Sequence, residues 1–188
     1  MVLGKAVADG SSYSASVHGV LVSVFGSGVL ILGRSGIGKS ACALELIDRG
    51  HKLVADDVVN VERKDDSLIG SAPAALFGSL EVRGLGIIDV RRIFGEDAAL
   101  GSSEISLCIR FNDRTADAEP DRTSSGVQSC SILDVEIPQI SFVVNGSQSL
   151  RVLVETSVRY ITRDGENGGR EFVDRYNALL IQNPGSSN

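Results

Sequence analysis

Apolar residues along this chain arrive in short blocks, and the spacing within the blocks changes along its length. Val20-Leu21-Val22 with Val24-Phe25, and then Val29-Leu30-Ile31-Leu32, are near-continuous apolar runs of strand length. Such runs read as buried strands, and Gly26-Ser27-Gly28 between them is a hairpin-type turn. From Ser40 to Arg49 the apolar spacing becomes helical, and Gly50 is a natural C-terminal stop. Lys52 to Ala55 and Val58 to Arg63 are strand-like, with a charged turn at Lys64-Asp65-Asp66 and a short return at Leu68-Ile69-Gly70. Pro73 to Leu80 fits neither period. Leu80 to Val90 mixes two glycines with apolar residues, so a loop with short extended pieces is expected. Ile105 to Phe111 alternates as a strand should.

Asn112 to Gly126 is polar and lacks an apolar period. At that length it reads as a functional or disordered loop. Ser131 to Val144 predicts more strand, broken at Pro138, with a turn at Asn145-Gly146. Leu150 to Ile161 and Glu171 to Ile181 predict two helices, separated by Asp164-Gly165-Glu166-Asn167-Gly168-Gly169. Residues 1–16 are small and polar and are expected to be a loose lead-in. Residues 17–183 form one domain, and 184–188 a frayed tail. Strands dominate before Val144 and helices after it. That departs from regular βαβ winding and predicts an α/β fold with a mixed sheet and flanking helices.

With 188 residues, 43% of them hydrophobic, the chain can bury a core without staples. Aromatics are only 5% and there is no Trp, so that core is aliphatic. A net charge of −6 argues against nonspecific nucleic-acid binding. Cys42, Cys108 and Cys130 are odd in number and lack C-x-x-C spacing. They read as reduced core thiols of a cytoplasmic protein, not as disulfides or a zinc site. Val20 to Leu32 is too short and too interrupted to span a membrane, and no targeting segment or membrane partner is inferred.

The candidate chemistry begins at Gly33-Arg34-Ser35-Gly36-Ile37-Gly38-Lys39-Ser40, which fits G-x-x-x-x-G-K-[ST]. In such a phosphate-binding loop, backbone N–H groups turn inward to cradle phosphate oxygens. Lys39 would reach the β- and γ-phosphates and the Ser40 hydroxyl would ligate Mg²⁺. The strand before and the helix after complete an anion site, because the helix dipole and its orphan amides point at the ligand. Sixteen residues beyond Ser40, Asp56-Asp57 ends a strand-like stretch. A carboxylate there can hold Mg²⁺ or accept a hydroxyl proton. Two adjacent extended side chains point opposite ways, so the two acids would divide those jobs. His18 precedes the first apolar strand and His51 follows Gly50, and a lone histidine is usually structural. Glu81 and Arg83 lie two apart on one face of a strand, where a surface ion pair is the simpler reading. Arg122, in the long polar loop, could clamp a phosphoryl group.

Taken in order, these stretches resemble the catalytic domain of the HPr kinase/phosphorylase family. The carriers are Val17-His18-Gly19-Val20-Leu21-Val22, the loop Gly33 to Ser40, Ala43-Leu44-Glu45-Leu46, Arg49-Gly50-His51, Ala55-Asp56-Asp57, and above all Glu81-Val82-Arg83-Gly84-Leu85-Gly86-Ile87-Ile88-Asp89. The resemblance implies a phosphate-loop fold similar to phosphoenolpyruvate carboxykinase, in a short form without the family's usual N-terminal domain. It implies a hexamer, use of ATP and Mg²⁺, and phosphorylation of a serine on an HPr-like phosphocarrier of the phosphotransferase system. It also implies the reverse step, phosphorolysis by inorganic phosphate to give pyrophosphate. On that resemblance Asp57 is the general base, His18 its electrostatic partner, Lys39 a phosphate ligand, Ser40 and Glu81 metal ligands beside Asp56, and Arg122 a loop arginine over the phosphates. Arg34 stands where an Asp is common, and Ser147 where a Pro-Gly-Arg type turn carries its arginine. A neutral hydroxyl cannot neutralise phosphate as a guanidinium does, so weak phosphorolysis is expected. Two rival readings are a nucleotide-binding regulatory module that transfers nothing, and a small-molecule kinase on the same fold.

Overall fold

The apolar blocks lie side by side in one mixed sheet. The computed structural model describes residues 7–9, 12–113, 126–144 and 148–163. Its strands are β1 (Val7–Asp9), β2 (Ser12–His18), β3 (Val20–Val24), β4 (Ser27–Leu32), β5 (Lys52–Ala55), β6 (Val58–Lys64), β7 (Ser67–Ser71), β8 (Ser79–Val82), β9 (Gly86–Asp89), β10 (Ser102–Asn112), β11 (Val127–Ile132) and β12 (Val135–Val143). The helices are α1 (Lys39–Asp48), α2 (Val90–Phe94) and α3 over 150–163. The main sheet runs β1-β2-β6-β7-β10-β4-β3-β5, with β12 on β10 and β11 outside β12, while β8 and β9 form a separate hairpin.

Long β10 joins two kinds of pairing. Ser102 to Glu104 pair antiparallel with β7, whereas its later residues run parallel to β4 and β12. The register slips between Ile105 and Leu107, and the extra residue turns the strand over. Ile105 therefore joins a different core cluster from Leu107, Ile109 and Phe111, although strict alternation would place all four together. One cluster contains Val20, Val22, Val29 and Ile31 with Cys42, Ala43, Leu46 and Ile47 of α1 and Val154 and Val158 of α3. The other contains Leu21, Leu30 and Leu32 with Val17 of β2, Val59 and Val61 of β6, and Leu68 of β7. The antiparallel strands thus fold over one face of the central strands and the helices cover the other. Burial on both faces is why β3 and β4 read as continuous apolar runs.

Several expectations change. Within the segment 1–16, expected to be a loose lead-in, residues 7–9 and 12–16 are strand, because Ser14 to His18 pair with Val58 to Glu62 of β6. The first hairpin turns at Phe25 and Gly26, both at positive φ, and Ser27 and Gly28 already belong to β4. Leu80 to Val90 is mostly a hairpin followed by the start of α2. Pro138 does not break β12. Pairing with β10 begins only at Gln139, so the missing donor costs no bond on that side. The Leu133-Asp134 turn, also at positive φ, links β11 to β12 without any glycine. The helix expected over Leu150 to Ile161 is present, whereas the one expected over Glu171 to Ile181 lies outside the described residues. All three cysteines are free and buried.

His51, just beyond α1, is buried and lies 3.1 Å from Glu155 of α3, which also pairs with Arg151 at 2.9 Å. This network pins α3 across the end of α1. Gly28 marks the tightest approach between central strands, since a methyl group there would run into the Glu104 carbonyl oxygen. Gly28→Ala is therefore expected to lower stability by about 1–3 kcal/mol through overpacking. Gly101→Ala, with no atom within 4 Å of the added carbon, should stay within about 0.5 kcal/mol. Urea denaturation of both variants checks this, and equal midpoints would contradict the close approach.

Candidate functional site

The site is built where β4 ends and α1 begins. Leu32 closes the strand, and the glycine loop then reverses through Gly33, Gly36 and Gly38, all at positive φ. Gly38 caps α1 without a side-chain hydrogen bond, so the helix N-terminus faces the loop unshielded. Lys39 opens the helix and is only 6% exposed. Its Nζ donates to the carbonyls of Gly33 at 2.9 Å and Arg34 at 3.1 Å, and lies 3.5 Å from His18 Nε2. Burial holds the ammonium below the usual lysine range, and the charges of Asp56 and Asp57 oppose that shift. A cation held mainly by the loop's own carbonyls, with His18 beside it, is poised to exchange those carbonyls for an anion.

The two neighbouring acids separate, but through a tight turn and not through extended backbone: Asp57 has positive φ and the Val58 N–H donates to the Asp56 carbonyl at 2.8 Å. Asp56 is 7% exposed. Its Oδ1 accepts from Ser40 Oγ at 3.0 Å and its Oδ2 from the Glu81 backbone N–H at 2.9 Å. Burial pushes its pKa up, and those hydrogen bonds pull against the shift. Asp57 instead sits at φ 65 with its side chain 65% exposed, and its Oδ1 lies 2.9 Å from His18 Nδ1. The Asp57 carbonyl receives the Gly19 N–H at 3.2 Å and faces His18 Nδ1 at 3.1 Å. Gly19 is tight as well: a methyl group there would lie 2.8 Å from the Ile31 carbonyl oxygen. A neutral His18 ring with its proton on Nδ1 satisfies both neighbours, donating to Asp57 and accepting from Lys39.

These residues line a cavity of about 440 Å³ together with Ser35, Gly36, Leu44, Glu45, Glu81, Val82 and Arg83. Of the predicted site residues, His18, Ser35, Gly36, Gly38, Lys39, Ser40, Asp56, Asp57 and Glu81 all meet there. Arg122 lies outside the described residues. The Arg34 backbone serves Lys39, but its guanidinium points elsewhere and makes a bidentate pair with Asp113 at the end of β10. That pairing raises the pKa of Arg34 and lowers that of Asp113. Arg83 is the addition. No ion pair joins it to Glu81 among the described residues; its Nη2 would lie 3.5 Å from a methyl group on Gly36, over the glycine loop. Its period-2 placement beside Glu81 was the available signal.

The donor set suits Mg²⁺. No cluster of three His, Cys, Asp or Glu side chains surrounds one point among the described residues. Mg²⁺ needs none, since it keeps water and takes one or two carboxylates plus phosphate oxygens. Ser40 Oγ, the desolvated Asp56 carboxylate and Glu81 on the same wall can supply such ligands.

Residues 11–176 match the HPr Serine kinase C-terminal domain. The chain is 43% identical over 171 residues to the HPr kinase/phosphorylase of Lactiplantibacillus plantarum, covering 89% of this chain and 54% of that protein. It is 46% identical over 171 residues to the HPr kinase/phosphorylase of Lacticaseibacillus casei, with the same coverage. The chain therefore spans about half the length of the curated relatives it matches. A solved structure, the Hpr(Ser) kinase/phosphatase from Coxiella burnetii, superimposes with a TM-score of 0.70 at 36% identity, covering 77% of this chain and 94% of that one. No helix of the described residues is long and apolar enough to cross a membrane.

The raised Asp56 carboxyl sets a testable sign. Because its folded pKa lies above its unfolded one, the native state holds this proton more tightly than the unfolded chain does. Its contribution to stability is complete below the ordinary Asp value of about 3.9 and is lost as pH rises through its own folded value. A cation beside the carboxylate favours the charged form and moves that value down. Carbon-13 titration of Asp56 should give a midpoint above the ordinary Asp range that falls on adding Mg²⁺. A midpoint at or below that range, or one indifferent to Mg²⁺, would contradict the assignment.

Proposed function

The chain belongs to the HPr serine kinase C-terminal domain family, and we propose that it is an ATP- and Mg²⁺-dependent protein-serine kinase acting on an HPr-like phosphocarrier protein. The observation that carries this reading is the relay across His18. Lys39 Nζ stands on one side of the ring at 3.5 Å and the Asp57 carboxylate on the other at 2.9 Å. A phosphate-binding cation and an exposed carboxylate are thereby held at opposite ends of one rigid spacer.

The chemistry of transfer is mostly positioning and charge compensation. The loop amides and Lys39 hold the triphosphate of ATP at the N-terminus of α1. Ser40, Asp56 and Glu81 would hold Mg²⁺, which when bound neutralises charge on the phosphate oxygens. A serine hydroxyl is a poor nucleophile at neutral pH, so a base must take its proton as the new O–P bond forms. Asp57 is assigned that role in this proposal, supported by its exposed side chain and its 2.9 Å contact with His18. As the serine oxygen bonds to the γ-phosphorus, the bond to the β-phosphate oxygen breaks, ADP leaves and the proton passes to Asp57. In the reverse direction inorganic phosphate attacks phosphoserine, the protonated Asp57 returns the proton to the serine oxygen, and pyrophosphate forms. Ser147, where a cation is expected, supports a reverse rate below the forward one, and it lies outside the described residues.

Asp57→Asn preserves size and removes the base. Transfer from radiolabelled ATP to HPr should fall by about 10²–10⁴-fold while ADP affinity holds. Lys39→Ala should abolish ATP turnover with the fold intact. Unchanged transfer in either variant would sink the assignment, as would an equal loss of nucleotide affinity in Asp57→Asn.

A further inference from the structure

A second cavity, of about 370 Å³, takes no part in the mechanism above. It opens where the parallel strands β4 and β10 end. Leu32 and Arg110 are paired across those strands, and Gly33 and Asp113 follow them. It shares one lining residue with the nucleotide-side cavity, His18, the ring that touches both Lys39 and Asp57. A group seated here therefore lies beside whatever hydroxyl is delivered to Asp57, at the end of the glycine loop marked by Gly33 and Arg34.

The lining has a definite polarity. Val17, Leu32 and Ile37 supply apolar wall, and Arg34, Arg110 and Asp113 supply the charges. Arg34 spends Nε and Nη2 on Asp113, and its Nη1 makes only a 3.5 Å contact to the Ser35 carbonyl. A guanidinium carries five N–H donors, and the Arg34 side chain is 64% exposed, so donors remain for a ligand. Both Asp113 oxygens are already engaged by Arg34. Arg110 adds a second guanidinium, half-buried, with its Nε on Gln139 Oε1 at 3.3 Å. Two cations and one carboxylate that is already in use line the cavity, so it offers donors and asks for an acceptor.

We infer that this cavity seats the acceptor polypeptide next to its reactive serine, and that Arg34 and Arg110 select a carboxylate-bearing side chain there. The inference rests on the kinase reading and specifies its substrate. The acceptor segment lays an aliphatic stem against Val17, Leu32 and Ile37, and its carboxylate takes the guanidinium donors that Asp113 leaves free. The protein as a whole is acidic, with a net charge of −6, so the cavity would be a local exception that fixes the register of docking. Arg34 and Arg110 are then specificity residues of the acceptor and not of the nucleotide.

The experiment uses the whole chain with a purified HPr protein as probe, and Arg34→Gln, Arg110→Gln and the double variant. Arg34 is exposed, so its variant should fold even if Arg110→Gln perturbs the strand. Each single variant should raise the KM for HPr about tenfold, the loss of one charge-assisted contact, and Arg110→Gln, which lies on β10 outside the glycine loop, should leave the Kd for ADP within twofold. An HPr variant in which an acidic side chain near the serine is neutralised should lose the same factor with the unaltered chain and nothing more with Arg34→Gln. Unmoved HPr kinetics in both single variants would overturn the inference, and so would a weakened Kd for ADP of equal size in Arg110→Gln. If the unaltered chain binds HPr in calorimetry but transfers no phosphate, the kinase reading falls. The cavity is then judged by whether Arg34→Gln weakens that binding tenfold. If the unaltered chain neither binds nor phosphorylates HPr, both fall.

Discussion

Two opposite charges kept out of water at the N-terminus of α1 govern this structure. Lys39 and Asp56 are each more than nine-tenths buried, and burial works against the charge on both. Each is retained because hydrogen bonds replace its hydration. Lys39 has the Gly33 and Arg34 carbonyls, and Asp56 has Ser40 and the Glu81 amide. No salt bridge joins the two, so each charge depends on its own hydrogen-bond partners. The arrangement also ties four chain segments together: the glycine loop, the start of α1, the β5–β6 corner and the β8–β9 hairpin. The hairpin that carries Glu81 and Arg83 stands against the loop through an Asp56 bond, so two walls of the cavity share one carboxylate.

The surrounding fold explains how such a corner is held still. β3, β4 and β10 are buried on both faces, which leaves the loop after β4 a rigid base. Gly19 and Gly28 permit close strand contacts that a side chain would prevent. The glycine loop, by contrast, meets solvent, and Asp57 and His18 project from strand ends with their side chains more than half exposed. Rigid anchoring below and exposure above suit a site that must hold one substrate tightly and admit a second, larger one.

Much of this was legible from the residues alone. The runs Val20 to Val24 and Val29 to Leu32, the α1 spacing and the Gly33 to Ser40 pattern are local signals, and each has a local cause in burial or backbone freedom. The division between Asp56 and Asp57 was expected for extended backbone, but it arises from a tight turn at positive φ that the sequence did not signal. What escaped depended on distant partners. Ser12 to Ser16 is polar enough to pass for a lead-in and becomes strand only because β6 lies beside it. The turns at Phe25-Gly26 and Leu133-Asp134 use positive φ at non-glycine residues, which composition does not advertise. Arg34 reads as a phosphate-loop cation until β10 brings Asp113 to it from seventy-nine positions away. Arg83 reads as a surface ion pair until the hairpin folds over Gly36.

The central claim is that the loop now satisfied by its own lysine is the seat of the nucleotide phosphates. The most direct measurement is a crystal structure of the chain with Mg²⁺ and a non-hydrolysable ATP analogue. The account predicts phosphate oxygens on the backbone N–H groups of Gly36 to Ser40. It also predicts that Lys39 Nζ moves from the Gly33 and Arg34 carbonyls onto a phosphate, with Ser40 and Asp56 beside the metal. A triphosphate bound instead against Arg34 and Arg110, with Lys39 still held by those two carbonyls, would contradict it.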